Sequence, residues 1–204
     1  MKKKMVLIVS CLLTSILIGC GTKNDYNELA VDKEIVSSYE CNVNACQFFM
    51  GIKTVINTTV DEKAVEISRD SFTIGTEPLS MKDEEGNVLA SAGDVYGIIS
   101  QDDHGIYVND SFEINMCGNI DFNGESYELQ DSEGNLIATV EFSTGNTSGG
   151  IIDTEGNLIA TFKSDIGRYD YTVDIYENDI FSDNAILMIM ASYMSDYRVE
   201  QRQR

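Results

Sequence analysis

Met81-Lys82-Asp83-Glu84-Glu85-Gly86-Asn87-Val88-Leu89-Ala90 returns as Leu129-Gln130-Asp131-Ser132-Glu133-Gly134-Asn135-Leu136-Ile137-Ala138, and again as Ile151-Ile152-Asp153-Thr154-Glu155-Gly156-Asn157-Leu158-Ile159-Ala160. Each copy is an apolar strand end, then Asp-x-Glu-Gly-Asn, then an apolar strand start. The Asp side chain can bond nearby backbone amides and open a type I turn. The Gly can take the left-handed conformation that closes a three- to five-residue hairpin loop. Each copy therefore marks the tip of a β-hairpin.

Outward from these tips the same pattern continues. Asn123-Gly124, between Ile120-Asp121-Phe122 and Ser126-Tyr127-Glu128-Leu129, is a tighter hairpin signal. Asn109-Asp110 and Asp102-Asp103-His104-Gly105 read as further tips. Between tips lie short alternating segments rich in β-branched and aromatic residues: residues 64–68, Phe72-Thr73-Ile74, residues 105–108, Phe112-Glu113-Ile114 and residues 169–176. Such segments read as half-buried strands, and closely spaced hairpins of this kind imply a sandwich or a barrel.

The C-terminus departs from that pattern. Ser182 or Asp183 can cap a helix over about 183–197, and residues 185–191 are apolar without interruption. A helix that is apolar on every face is buried on all sides or lies in lipid. This one is shorter than the roughly 20 residues a bilayer needs. In a mainly β domain its place is the middle of a barrel; the alternative is a helix laid across one open sheet face. Residues 198–204, with Arg198, Arg202 and Arg204, read as a polar end.

The N-terminus carries an address. Lys2, Lys3 and Lys4 precede an apolar run from Met5 to Ile18, and Leu17-Ile18-Gly19-Cys20 closes it. A basic head, a short apolar core and a small residue before the cut make an export signal over residues 1–19. Gly19-Cys20 resembles the lipobox of bacterial lipoproteins. That resemblance implies a diacylglyceryl group on the Cys20 sulfur and lipid anchoring to the membrane. The expected site is the outer leaflet of the cytoplasmic membrane in a one-membrane bacterium; in a two-membrane host Gly21, rather than Asp, does not favour inner-membrane retention. The alternative is an ordinary secretory signal or uncleaved anchor with Cys20 incidental. Residues 20–33 read as the lipidated cysteine and a flexible tether, and residues 34–204 as a single domain.

Composition narrows the rest. All 34 acidic residues and 11 of the 14 basic ones lie beyond residue 19, a net charge of −23. Such a surface repels nucleic acid and anionic headgroups, so no nucleic-acid partner is expected. With 43% apolar residues, 10 Tyr and 8 Phe, the chain can bury a core. Cys41 and Cys46 could form a local disulfide; the other reading is two separate thiols, at least one of them buried. Cys117 reads as a small apolar residue in a strand. The chain has 1 His, His104, placed by the pattern in a loop, and no Gly-x-Ser-x-Gly elbow, Walker or dinucleotide fingerprint. The acidic tips could in principle gather Ca²⁺, but none follows the EF-hand loop. The sequence thus indicates no catalytic residues, no metal and no cofactor.

A meander of short strands with repeated Asp-x-Glu-Gly-Asn tips, followed by residues 171–176 and one fully apolar helix reaching Met194, is similar to the tubby C-terminal-like fold. Within it the resemblance is to the LURP-one-related proteins and covers roughly residues 64–197. It implies a closed antiparallel β-barrel around a central hydrophobic helix. Residues 34–60 depart from it and read as an added strand pair or a short helix. No Lys/Arg cluster is present, so the phosphoinositide binding of tubby proteins is not carried over, nor is scramblase activity. The expected function is a non-enzymatic binding or interaction module at the cell envelope with an unidentified protein or lipid partner. The alternatives are lipid or apolar-ligand binding by the barrel, and an envelope hydrolase with an unrecognised site.

Overall fold

The computed structural model describes residues 26–48, 51–69, 79–94, 103–109, 111–121, 124–142, 148–164 and 170–192. They form a short helix α1 (Tyr26–Ala30), then β1 (Ile35–Phe48), β2 (Gly51–Val60), β3 (Lys63–Arg69), β4 (Leu79–Asp83), β5 (Val88–Asp94) and β6 (Asp103–Val108). β7 (Ser111–Asp121), β8 (Gly124–Gln130), β9 (Leu136–Phe142), β10 (Ser148–Asp153), β11 (Leu158–Ser164) and β12 (Tyr171–Tyr176) follow. A helix α2 over residues 183–192 ends the described chain. Each strand pairs antiparallel with the next, and β12 pairs back onto β1, so the sheet closes into a barrel with no free edge.

The three repeated units are one device built three times. Gly86, Gly134 and Gly156 hold φ of 85°, 84° and 88°. Their amides donate to the carbonyls of Asp83, Asp131 and Asp153 at 3.0, 3.1 and 3.1 Å. Just below each tip the register skips one residue, between Met81/Lys82, Leu129/Gln130 and Ile151/Ile152. The skip turns Met81, Leu129 and Ile151 inward, opposite Ala90, Ala138 and Ala160. All six are at most 1% exposed. A large side chain facing an alanine leaves room on the barrel axis, and α2 takes it.

α2 is inside the barrel. Residues 185–191 step round every face of a helix at 100° per residue, and each is at most 4% exposed. They belong to one core cluster with inward residues of all the strands, from Cys41 on β1 to Val173 and Ile175 on β12. Burying Ile186, Leu187, Met188, Ile189 and Met190 contributes on the order of 10 kcal/mol before chain entropy is counted. Asn178 turns the chain from β12 towards the axis: its Oδ1 accepts the Ile180 and Phe181 amides at 3.2 and 2.9 Å. Ser182 then caps α2, its Oγ accepting the Ala185 amide at 3.2 Å. Asp183, the other candidate cap, instead accepts a hydrogen bond from the Tyr39 hydroxyl on β1, tying the start of α2 to the wall.

The structure departs from the sequence reading in three places. Within residues 34–60, Ile35–Phe48 and Gly51–Val60 are a strand pair, the first of the two readings, but they are staves of the barrel itself rather than an addition to it. Residues 103–105 are not a tip: the backbone pairs Asp103 with Cys117 and His104 with Met116 inside β6. The tether is not flexible throughout: α1 packs on the outside of the barrel, where Tyr26, Leu29 and Ala30 cover Ile152, Leu158 and Tyr176. Of the expected strand 169–176, Tyr171–Tyr176 form β12, and residue 169 lies outside the described residues. Phe72-Thr73-Ile74 and the stretch 193–197 of the expected helix lie outside the described residues.

Elsewhere the outer wall carries both charged and apolar side chains, Val88, Tyr107, Phe112 and Leu136 among the exposed apolar ones. Glu66 and Glu128 stand exposed between buried neighbours, and Glu40 and Lys163 are exposed too, charges where a lipid-facing barrel carries an apolar band. No helix among the described residues is long and apolar enough to cross a membrane.

Candidate functional site

Because the strands alternate in direction, the connections fall on two ends. One end holds the β2–β3 turn, the three Asp-x-Glu-Gly-Asn tips, the β6–β7 turn at Asn109, the start of β1 and the corner into α2. The opposite connections lie outside the described residues. The described end is therefore an acidic rim, with Asp61, Glu62, Glu84, Glu85, Glu133 and Glu155 all exposed.

The tip aspartates are committed to structure. Asp83 Oδ1 accepts the amides of Glu85 and Asn87 at 3.0 and 2.8 Å, and its Oδ2 accepts Asn87 Nδ2 at 2.9 Å. Asp131 repeats this with Glu133 and Asn135 at 2.8, 2.9 and 2.9 Å. Asp153 repeats it with Glu155 and Asn157 at 2.8, 2.7 and 2.8 Å. The Asn side chain first, with the backbone amides, holds Asp83 and Asp131 below the usual carboxylate range. At Asp153 burial pulls upward, but the Asn157 bonds outweigh it and the net shift is downward. Both oxygens of each carboxylate thus serve the turn. Among the described residues no three His, Cys, Asp or Glu side chains come together as metal ligands.

A pH dependence follows. A carboxylate whose folded pKa is depressed stabilises the fold above its unfolded value, about 3.9, and that contribution is lost as pH falls through the folded value. The triple variant Asp83→Asn/Asp131→Asn/Asp153→Asn is expected to have a lower urea midpoint than wild type at pH 7. The gap should narrow as pH falls through the folded values, where the native carboxylates take up protons too. A gap independent of pH would mean that the charge plays no part in the turns.

The cysteines separate. Cys41 is a free, buried thiol, and the local disulfide with Cys46 is not formed. The two lie five residues apart on the single extended strand β1, roughly 16 Å at the rise of a strand, well beyond disulfide reach. Burial pushes the Cys41 thiol up to about 11, against the hydroxyls of Thr58 and Tyr171 beside it. Because the thiolate is the reactive form, Ellman's reagent is expected to modify Cys41 only once urea unfolds the barrel. Cys117 lies in β7 as expected, half-buried, and accepts a hydrogen bond from Asn115 Nδ2 at 3.2 Å. Cys20 and the side chains of Cys46 and His104 lie outside the described residues.

One site escaped the sequence reading. Tyr26 lies against Gly150 so closely that a Cβ there would sit 2.4 Å from its ring. The Tyr26 hydroxyl donates to Glu141 Oε2 at 2.7 Å, and Glu141 is the β9 partner of Gly150. Burial, then the bond to Glu141 and its charge, raise the Tyr26 phenol well above its usual range. A signal was present in the sequence: the third repeated unit carries Gly150 and Ile152 where the first has Ser80 and Lys82 and the second Glu128 and Gln130.

No protein-family model, curated protein or solved structure matches this chain.

Proposed function

We propose that this chain is an exported lipoprotein, held on the membrane by lipid on Cys20, whose barrel of the tubby C-terminal-like kind is a non-enzymatic binding module at the cell envelope. The observation that carries the module reading is the filled axis. Seven consecutive buried residues, 185–191, occupy the space that a ligand-binding barrel would leave for its ligand. What the barrel offers is its outside, above all the acidic rim. The rim aspartates hold its shape and leave the neighbouring glutamates to solvent. Apolar-ligand binding along the axis would require α2 to leave, at the cost of its entire buried surface.

The partner is an envelope protein or lipid met on the outer side of the membrane. The test is photo-crosslinking on intact cells from probes at exposed rim positions Glu85, Glu133 and Glu155. A reproducible partner, lost when the rim is neutralised, supports the module. Turnover of cell-wall glycan, peptide or ester substrates by the purified mature chain would overturn it in favour of a hydrolase.

A further inference from the structure

The three repeated units are alike on the inside and differ on the outside. At the two outward positions before the tip, the first unit has Ser80 and Lys82, the second Glu128 and Gln130, and the third Gly150 and Ile152. The first outward position after the tip is apolar in all three. Val88 and Leu136 are 46% and 43% exposed, whereas Leu158 is 1% exposed beneath α1. Only the third unit therefore combines a missing side chain, which admits the Tyr26 ring, with an apolar floor of Ile152, Leu158 and Tyr176. Glu141 completes the seat by accepting the Tyr26 hydroxyl. A helix of five residues is too short to hold its shape alone, so α1 exists because this seat does.

We propose that α1 is a strap that clamps the β9–β12 wall close to the membrane and sets the barrel with its acidic rim pointing away from the lipid. The inference rests on the reading of Cys20 as the anchor. From Cys20 to Tyr26 the chain takes six steps, at most about 21 Å when extended. With α1 undone, the free length runs to Ile35, at the rim, and reaches about 50 Å. The strap thus shortens the leash by about 30 Å and moves its attachment from the rim to the side of the wall. The rim's carboxylates and anionic headgroups repel each other, which favours the same orientation.

The test restores the second unit's residues to the third, Gly150→Glu with Ile152→Gln, in the full-length chain. Both positions face outward, so the barrel's interior is untouched. By hydrogen exchange, the Leu29 and Ala30 amides, which can bond one turn back in α1, are expected to exchange at least tenfold faster in this variant, with α2 amides unchanged. The membrane arm uses lipidated protein in vesicles of phosphatidylglycerol and phosphatidylcholine, with Cys46 and Cys117 replaced by Ser. A donor dye is placed at Ser132→Cys on the rim or Lys163→Cys further down the wall, and an acceptor in the headgroups. Transfer from position 163 is expected to exceed that from position 132, and to fall at least twofold in the strap variant. Fast exchange of the Leu29 and Ala30 amides in the wild type overturns the strap itself. Equal transfer from the two positions, or no change on undoing α1, overturns the orientation. A wild-type chain that fails to join vesicles while keeping its protection removes the anchor, and with it the leash, but leaves the α1 seat intact.

Discussion

Replacing Ile189 with Asp is expected to leave no folded barrel. Ile189 is 0% exposed in the middle of α2, and α2 fills the axis. The substitution removes a buried aliphatic side chain, worth about 2–5 kcal/mol as a cavity. It also places a carboxylate among apolar neighbours, which costs several kcal/mol more unless the group takes up a proton. Together these match the entire stability of a domain this size, about 5–15 kcal/mol. Circular dichroism should show loss of the β signal at 25 °C, and the sharp thermal transition should vanish. Ile189→Val, which keeps the shape and removes one methyl, should cost only about 1 kcal/mol. A cooperative melt in the Asp variant close to that of wild type would mean that the helix is not the core.

The second large effect is expected at Gly149. A Cβ at this position would lie 2.2 Å from the Phe162 ring and 2.4 Å from the backbone oxygen of Glu141. Phe162 is its cross-strand partner on β11, so the aromatic ring covers the bare glycine. The ring could swing aside, but the Glu141 carbonyl belongs to the β9 ladder and cannot move without breaking pairing. Gly149→Ala should therefore cost about 3 kcal/mol, read as a lower urea midpoint at unchanged slope. Gly156 gives the contrast: its Cβ would meet nothing within 4 Å, and only the φ of +88° resists. Gly156→Ala should cost about 1 kcal/mol. If the two variants were equally stable, the close approach of β9, β10 and β11 would not be as described.

These positions show what the sequence could reveal. The tips were legible because their chemistry is local: an Asp, a Gly and an Asn within five residues satisfy one another. α2 was legible because unbroken apolarity over residues 185–191 allows no exposed face. The barrel around it could be inferred only by asking where such a helix belongs. The region of β1 and β2 was left open between an added strand pair and a short helix, because Cys41-Asn42-Val43-Asn44-Ala45-Cys46 gives only a weak alternation and the pairing with β12 spans the whole domain. His104 was misplaced because Asp102-Asp103-His104-Gly105 carries turn-forming residues, yet the ladder to β7 runs through positions 103–105 and that to β5 through 104 and 105. α1 was missed for a different reason. Tyr26-Asn27-Glu28-Leu29-Ala30 has no helix signal strong enough to stand alone, and what makes it a helix is Gly150 and Ile152, more than a hundred residues away. The acidic rim follows from the meander itself, since alternate hairpins must turn at the same end.

Cys20 remains the residue to which the account gives a chemical role, and the described fold sharpens what that role would mean. The barrel's outer wall carries charges among its exposed apolar side chains, and its apolar helix is spent on the core. On the proposed reading, lipid on Cys20 would be the hold on the membrane, with α1 to shorten it. The most direct measurement is metabolic labelling with radioactive palmitate of cells making the wild-type chain or Cys20→Ser. The account predicts label in the wild-type protein, recovered with the membranes, and none in the variant. Equal labelling of the two would contradict it.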